Sequence, residues 1–391
     1  MEYITVAEAA EIWGVTSRQV QRLIAANRIP NVKKHGQAYM IPANAEKPND
    51  PRFEKETPPS VFLSDLEQLI PAVYTFVPQN DPFSIMNTIT EKRLKLIHEG
   101  GFAYICGDFA RTIKCYKQNE GDDAAKLCSS TLAIAAAISM GDYPFYLEVE
   151  AFLKSIIAAN VRADVTAFAE LSLCTAYLGA MAPNMAPEWL KNGDFSALPS
   201  AAKPDAAYKR AKYFQCIGKY GSMLDVAQTA LAFCDSPRKI SVPGIYLRMM
   251  CAAACFSLGR NDDAKTWLQD AMRIALPHGF ITYFAELIPL FGGMIEQILK
   301  YEYPSYYDAI INQKKPRLNW LSFHNRFTKD NITLILSLRD YQMALLVARH
   351  VPYKEIAHQF NISVGRLNNI MRGIYAELFV SNRDELAKFI L

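Results

Sequence analysis

The chain lacks the features that mark several large classes of protein. Its 391 residues carry a formal net charge of only +3, so no overall excess of one sign points to nucleic acid. Its most apolar run, Leu132 to Met140, is about half the roughly 20 residues that a membrane-spanning helix needs. Its N-terminus has no basic stretch followed by an apolar one, which is the pattern of a secretory signal. We therefore expect a cytoplasmic protein with no membrane partner.

Motifs for chemistry are missing as well. The sequence has no Walker loop, no Gly-x-Ser-x-Gly motif and no Gly-x-Gly-x-x-Gly after a strand, and His278 and His350 fall in no recognisable catalytic pattern. Its eight cysteines form no Cys-x-x-Cys pair, and the nearest pair, Cys251 and Cys255, is expected to lie in a core with reduced thiols. These absences favour a protein that is not an enzyme and predict neither a metal nor a cofactor.

A helix-turn-helix pattern occupies the first 47 residues. Thr5 and Glu8 have the spacing of a capping box at the start of a first helix, and Gly14 is placed to end it. The apolar face of this first helix is predicted to comprise Ala9, Ala10, Ile12 and Trp13. Thr16 then caps a second helix, which is predicted to bury Val20, Leu23 and Ile24.

The second helix has the position of a recognition helix. A helix, a short turn and a second helix with polar and basic residues near its start is the arrangement that enters the major groove of DNA. Behind it, the segment from Val32 to Ile41 is predicted to form a basic hairpin with Gly36 at its tip, which would act as a wing that touches phosphate. The residues predicted to contact DNA are Thr16, Ser17, Arg18, Gln19, Gln21, Arg22, Lys33 and Lys34.

These residues resemble the winged helix-turn-helix of the excisionase and MerR families. The matching residues are Tyr3–Ala10, Gly14–Val20, Asn27–Pro30 and Ile41–Pro42. One departure is that those families usually add a helix after the Ile-Pro pair, whereas Pro48 and Pro51 interrupt this sequence. The resemblance implies a DNA-binding domain over residues 1–47. The alternative is a small helical subdomain whose arginines and lysines merely solvate its surface.

A second helix-turn-helix pattern occupies the last sixty residues. The sequence predicts helices from Leu338, from Tyr353, after a cap at Ser363 and from about Ser381, with the third helix burying Leu367, Ile370, Ile374 and Leu378. The pattern resembles the LuxR-type DNA-binding domain in Lys354–Ala357, Ile362–Val364, Ile374–Tyr375, Leu378, Val380 and Asn382–Leu386.

Departures from the LuxR pattern concern charge. Arg366-Leu367-Asn368 stands where the family usually has Thr-Val-Lys, and Glu377, Phe379 and Gln342 replace the usual Lys, Gly and Glu. Losing cations weakens the attraction to phosphate. The residues predicted to contact DNA here are Ser363, Arg366, Asn368, Asn369 and Arg372. The alternative is a degenerate module that is kept for dimerisation.

The middle of the chain is predicted to be helical. Residues 48–60 have the proline-rich, charged composition of a linker. After it, glycines follow apolar helix segments every 34 to 41 residues, at Gly107, Gly141, Gly179, Gly218 and Gly259. This spacing resembles tetratricopeptide-like repeats, which stack helix pairs around a concave surface for a peptide, protein or small molecule. The aromatic residues that could line such a surface, or instead belong to the core, are Tyr208, Tyr213, Tyr220, Tyr246 and Trp267.

The sequence thus predicts a mainly α protein with four parts. They are a winged helix-turn-helix domain (1–47), a linker (48–60), a tetratricopeptide-like sensor or interaction domain (61–330) and a LuxR-type helix-turn-helix domain (331–391). The predicted function is that of a bacterial DNA-binding transcription regulator, a homodimer on double-stranded DNA with an effector on the helical domain. The alternative is a non-enzymatic interaction scaffold with degenerate helix-turn-helix modules.

Overall fold

A computed structural model describes residues 3–25, 29, 32–35, 38–43, 45, 47, 66, 69–70, 76–78, 82–234, 239–313, 323–324, 327, 336–378 and 380–390. The chain divides into two compact units, Met1–Pro58 and Pro59–Leu391, and each is described by itself. The predicted linker (48–60), the predicted tip of the wing at Gly36 and the substituted Phe379 lie outside the described residues. The described part of the chain is mainly helical, as predicted.

The first unit combines two helices with a small sheet. Its elements are β1 (Tyr3–Thr5), α1 (Val6–Trp13), α2 (Ser17–Ala25), β2 (Lys33–His35) and β3 (Ala38–Pro42). The sheet is antiparallel with the order β1-β3-β2, and Lys34 lies opposite Tyr39 in the hairpin. The structure therefore confirms the predicted hairpin and adds β1, which is too short to show an alternating pattern in the sequence.

Local signals set the ends of α1. Thr5 and Glu8 form the predicted capping box, and Gly14 ends the helix with φ at +62°. One predicted core residue is wrong, because Ile12 is 66% exposed. The buried face of α1 is set by Ala9, Ala10 and Trp13, and at 3.6 residues per turn Ile12 lies about 100° around the helix from the centre of that face.

The second unit contains a run of helix pairs that we call the array. Its helices are α3 (Ile85–Thr88), α4 (Lys92–Ile105), α5 (Phe109–Gln118), α6 (Asp123–Met140), α7 (Tyr143–Ala159), α8 (Ala163–Gly179), α9 (Glu188–Asn192), α10 (Lys203–Cys216), α11 (Tyr220–Cys234), α12 (Val242–Ser257), α13 (Asn261–Ala275), α14 (Thr282–Leu287), α15 (Met294–Glu302) and α16 (Pro304–Ile311). Two short strands, β4 (Phe76–Pro78) and β5 (Lys239–Ser241), pair antiparallel, which the all-helical prediction for this region missed.

Glycine at the helix ends lets the chain reverse between pairs. Four of the five predicted turn glycines have positive φ, at Gly107, Gly141, Gly218 and Gly259. The prediction for Gly179 is wrong, because this residue is the last of α8 and Met181 takes the left-handed conformation instead, with φ at +56°. Glycine adopts this conformation at little cost, so it marks a sharp turn between antiparallel helices.

The helices α4, α6, α8, α10, α12 and α14 form an inner row in which each contacts the next. The ends of this row meet, because α14 also packs against α4. The backbone amide of Ile281 donates a hydrogen bond to the carbonyl of Ile105 at 2.9 Å. The Thr282 hydroxyl donates to the carbonyl of Tyr104 at 2.6 Å. The inner helices therefore form a closed ring.

The C-terminal four-helix segment follows the array. Its helices are α17 (Leu338–Ala348), α18 (Tyr353–Gln359), α19 (Val364–Glu377) and α20 (Arg383–Ile390), close to the predicted positions. Leu367, Ile374 and Leu378 are buried as predicted, whereas Ile370 is half-buried. The guanidinium of Arg383 donates to the carbonyls of Val347 and Val351 at 2.6 Å, which ties α20 to α17.

All eight cysteines are free thiols and seven are buried, including Cys251 and Cys255 in the core. Within the described parts of the chain, no helix is both long enough and apolar enough to cross a membrane.

Candidate nucleic-acid interface

The second helix of the first unit, α2, presents a polar and basic face. Val20 and Ile24 are buried against α1, which fixes the rotation of the helix. The side chains of Ser17, Arg18, Gln21 and Arg22 consequently point to solvent. A helix held in this way by its apolar side can enter the major groove with its basic side.

Thr16 and Gln19 form a second capping box at the start of α2. The Gln19 backbone amide donates to the Thr16 hydroxyl at 3.3 Å, and Thr16 donates from its amide (2.9 Å) and its hydroxyl (3.1 Å) to Oε1 of Gln19. Both residues were predicted to contact DNA. The cap uses the Thr16 hydroxyl and the Gln19 carbonyl oxygen, which leaves the Gln19 side-chain NH2 to face a base or a phosphate.

The two lysines of the hairpin each lie over an aromatic ring. Nζ of Lys33 is 4.9 Å from the centre of the Tyr3 ring, and Nζ of Lys34 is 5.6 Å from that of Tyr39. Both lysines are exposed. The rings hold the ammonium groups near the sheet without neutralising them. The sequence prediction missed both tyrosines, although an aromatic residue directly across a hairpin from lysine was a usable signal.

The cations of this face have no acidic partner among the residues that the structure describes: no carboxylate there forms an ion pair with Arg18, Arg22, Lys33 or Lys34. Glu8 is engaged at the start of α1, where hydrogen bonds from the backbone and side chain of Thr5 lower its pKa. The positive charge of α2 and the hairpin is therefore available to phosphate.

A second candidate face lies on α19. Leu367 and Met371 are buried, and the predicted contact residues Arg366, Asn368, Asn369 and Arg372 are all exposed. Ser363 caps the helix by accepting a hydrogen bond from the Arg366 amide at 3.1 Å, which leaves its hydroxyl proton to donate to DNA. This face carries two cations, and Glu377 is exposed toward the end of the same helix.

The comparisons with known proteins agree with the first of these faces. The family model of a helix-turn-helix domain matches residues 3–45. Searches of curated proteins and of solved structures found no match to the chain. The match covers α1, α2 and the whole sheet of the first unit. The chain therefore carries an N-terminal helix-turn-helix domain of the excisionase-like kind, which indicates a DNA-binding regulator.

Proposed function

We propose that the chain is a bacterial transcription regulator that binds double-stranded DNA chiefly through its first unit. The observation that carries the proposal is the exposed basic face of α2 and the hairpin, whose cations form no ion pair within the described part of the chain, inside a matched helix-turn-helix domain. Arg18 and Arg22 are placed to contact base edges or phosphate, and Lys33 and Lys34 to contact phosphate. The protein is not an enzyme in this proposal.

The finer parts of the proposal concern the second unit. The array is a tetratricopeptide-like domain that senses an effector, and the C-terminal segment is a LuxR-type module. The array proposal is supported by successive helix pairs with glycine turns. The C-terminal proposal is supported by four helices at the expected positions, with Ser363 as a cap. A single recognition helix contacts few base pairs, so we also propose a homodimer that reads two half-sites.

The test uses the full chain and sheared genomic DNA. The retained fragments are sequenced, and the affinity for the most enriched fragment is measured over a range of salt concentrations. Replacing Arg22 with Ala should weaken binding by about 1–3 kcal/mol if Arg22 contacts a base. Replacing Lys33 and Lys34 together should weaken all sequences alike and reduce the slope of log affinity against log salt by about 2.

The matched control is Lys265→Ala, which removes an exposed lysine from α13 in the second unit. It should leave both affinity and slope unchanged. If the α2 and hairpin variants bind like the wild type, the first unit is not the main DNA-binding surface. If the full chain shows no salt-sensitive retention of any fragment, the interaction-scaffold alternative replaces the regulator. Light scattering tests the dimer, which should have twice the 44.0 kDa mass of one chain.

A further inference from the structure

A pocket of about 200 Å³ lies inside the ring of inner helices. All six helices of the row contribute to its wall, from Tyr104 on α4 to Glu286 on α14. Most of the lining is apolar, with Leu132, Ile138 and Leu178 among its residues. A dry cavity of about 150 Å³ can hold a benzene molecule, so this pocket has room for a small molecule with an apolar body.

Four charged side chains line the pocket, and three of them already have partners. The ammonium of Lys209 donates to the carboxylate of Asp205 at 2.7 Å. The carboxylate of Glu286 accepts hydrogen bonds from the hydroxyls of Tyr104 and Tyr246, the latter at 3.1 Å. The fourth is Lys212, whose ammonium has no hydrogen-bond acceptor and no ion pair among the described residues.

Two further polar groups of the wall also lack partners among the described residues. The Thr175 hydroxyl and the Gln215 side-chain carbonyl are buried and form no hydrogen bond with any residue that the structure describes. Gln215 and Lys212 are three residues apart on α10 and so share one face of that helix. Burial lowers the pKa of Lys212, against the opposing effects of Cys216 and Glu286. Leaving the donors of Lys212 and Thr175 unpaired costs free energy, and an acceptor on a ligand would recover it, whereas the Gln215 carbonyl accepts and would need a donor.

We propose that this pocket binds a small monocarboxylate with an apolar body, with the carboxylate on Lys212 and Thr175 and the body against the apolar wall. One negative charge matches Lys212, the one unpaired cation among the described residues of the lining. A dianion such as a phosphate ester fits less well, because its second negative charge would find no second unpaired cation among those residues. The role of this ligand as the effector rests on the proposed function, whereas its binding to the pocket does not.

The C-terminal segment completes the pocket. Gln342 of α17 is part of the wall, and its side-chain amide contacts the sulfur of Met181 at 3.9 Å. A smaller cavity between α17, α18 and the array shares Met181, Gln215, Leu290 and Gln342 with it. A ligand that contacts Gln342 binds best when the C-terminal segment packs against the array. Ligand binding therefore stabilises that packing.

The test is titration calorimetry on the full chain at neutral pH in the absence of DNA. The probes are hexanoate and phenylacetate, with hexanamide, phenylacetamide and phenyl phosphate as matched comparisons. We expect both carboxylates to bind, and the amides and the phosphate ester to bind at least 10-fold more weakly. Lys212→Met should weaken carboxylate binding by about 10- to 100-fold, the range of a charge-assisted hydrogen bond.

The control variant Lys265→Met, at an exposed position, should bind the carboxylates like the wild type. In the wild type, carboxylate should also slow hydrogen exchange of the amides of α17. The proposal is overturned if neither carboxylate binds, if the amides bind equally well, or if Lys212→Met binds like the wild type. Because the assay contains no DNA, its outcome is independent of whether the first unit binds DNA.

Discussion

The side-chain amide of Gln359 donates a hydrogen bond to the hydroxyl of Tyr220 across 2.8 Å, which joins α18 to the array. Burial raises the pKa of Tyr220, so its hydroxyl stays protonated at neutral pH. Nearby, the guanidinium of Arg349 donates to the carbonyl of Cys216. The C-terminal segment is thus attached through α17 and α18, while the exposed face of α19 stays accessible.

We predict that Gly292→Ala loosens this attachment. A Cβ at Gly292 would lie 3.1 Å from Cβ of Asn361 and 3.1 Å from Phe256, so the loop before α19 must shift. Gly279→Ala is a matched control, because Gly279 also has positive φ but has nothing within 4 Å of an added Cβ. Hydrogen exchange in α17 and α18 should accelerate in the first variant and not in the second. Equal acceleration in both would mean that backbone strain alone is responsible.

We predict that Thr16→Ala destabilises α2. Losing an N-cap side chain costs about 1 kcal/mol, and here Gln19 also loses its partner. The amides of α2 should therefore exchange roughly five-fold faster, since 1.4 kcal/mol corresponds to a factor of ten. Ser17→Ala changes the adjacent exposed residue without touching the cap and should leave exchange nearly unchanged. An equal effect of both variants would contradict a capping role for Thr16.

We predict that Lys209→Met lowers the free energy of unfolding by about 3–5 kcal/mol. The ion pair between Lys209 and Asp205 is buried, and replacing Lys209 takes away the ammonium that lies 2.7 Å from the Asp205 carboxylate. The double variant Asp205→Asn with Lys209→Met should be less damaging than the single one, because the buried carboxylate is then replaced by a neutral amide. Urea unfolding of the three proteins measures this. A double variant less stable than the single one would contradict the argument.

We predict a pH dependence that originates at Glu286. Burial raises the pKa of this carboxyl above its usual value, against the hydrogen bonds from Tyr104 and Tyr246 and the charge of Lys212, so folding favours the protonated form. Its contribution to stability is fully present below the unfolded pKa and is lost as pH rises through the folded pKa. The stability of Glu286→Gln relative to the wild type should therefore increase from about pH 4.5 upward. Thermal unfolding across this range measures the difference, and a difference that decreases with pH would show that folding favours the ionised form.

Local signals carried much of the fold prediction. The spacing of Thr5 and Glu8, the glycine at position 14 and the serine at position 363 each specify a helix end through contacts within a few residues. Such contacts are visible in a sequence because cap and helix are adjacent in the chain. The exposure of Ile12 was missed because Ile12 lies at the edge of the apolar face of α1. Whether such an edge residue is buried depends on the width of the contact between α1 and α2, which helical periodicity does not specify.

The pocket could not be predicted from the sequence. Tyr208 and Tyr246 line it, and both were noted as candidates for a concave surface, but Lys212 and Glu286 were not. A lysine on a helix with other lysines resembles a solvated residue unless the position of the opposite wall is known. That wall is built by α14, whose approach to α4 depends on contacts between residues far apart in the chain.

The hydrogen bond between Thr282 and Tyr104 joins residues that are 178 positions apart, so it forms late in the synthesis of the chain. An open stack of repeats can fold progressively as each unit leaves the ribosome, because each unit contacts only its neighbours. Here α4 cannot bury its side toward α14 until residue 282 has emerged. At about 5–20 residues per second, the nascent chain exposes that surface for roughly ten seconds or longer. Slower translation near the second half of the array should therefore increase the capture of this chain by chaperones.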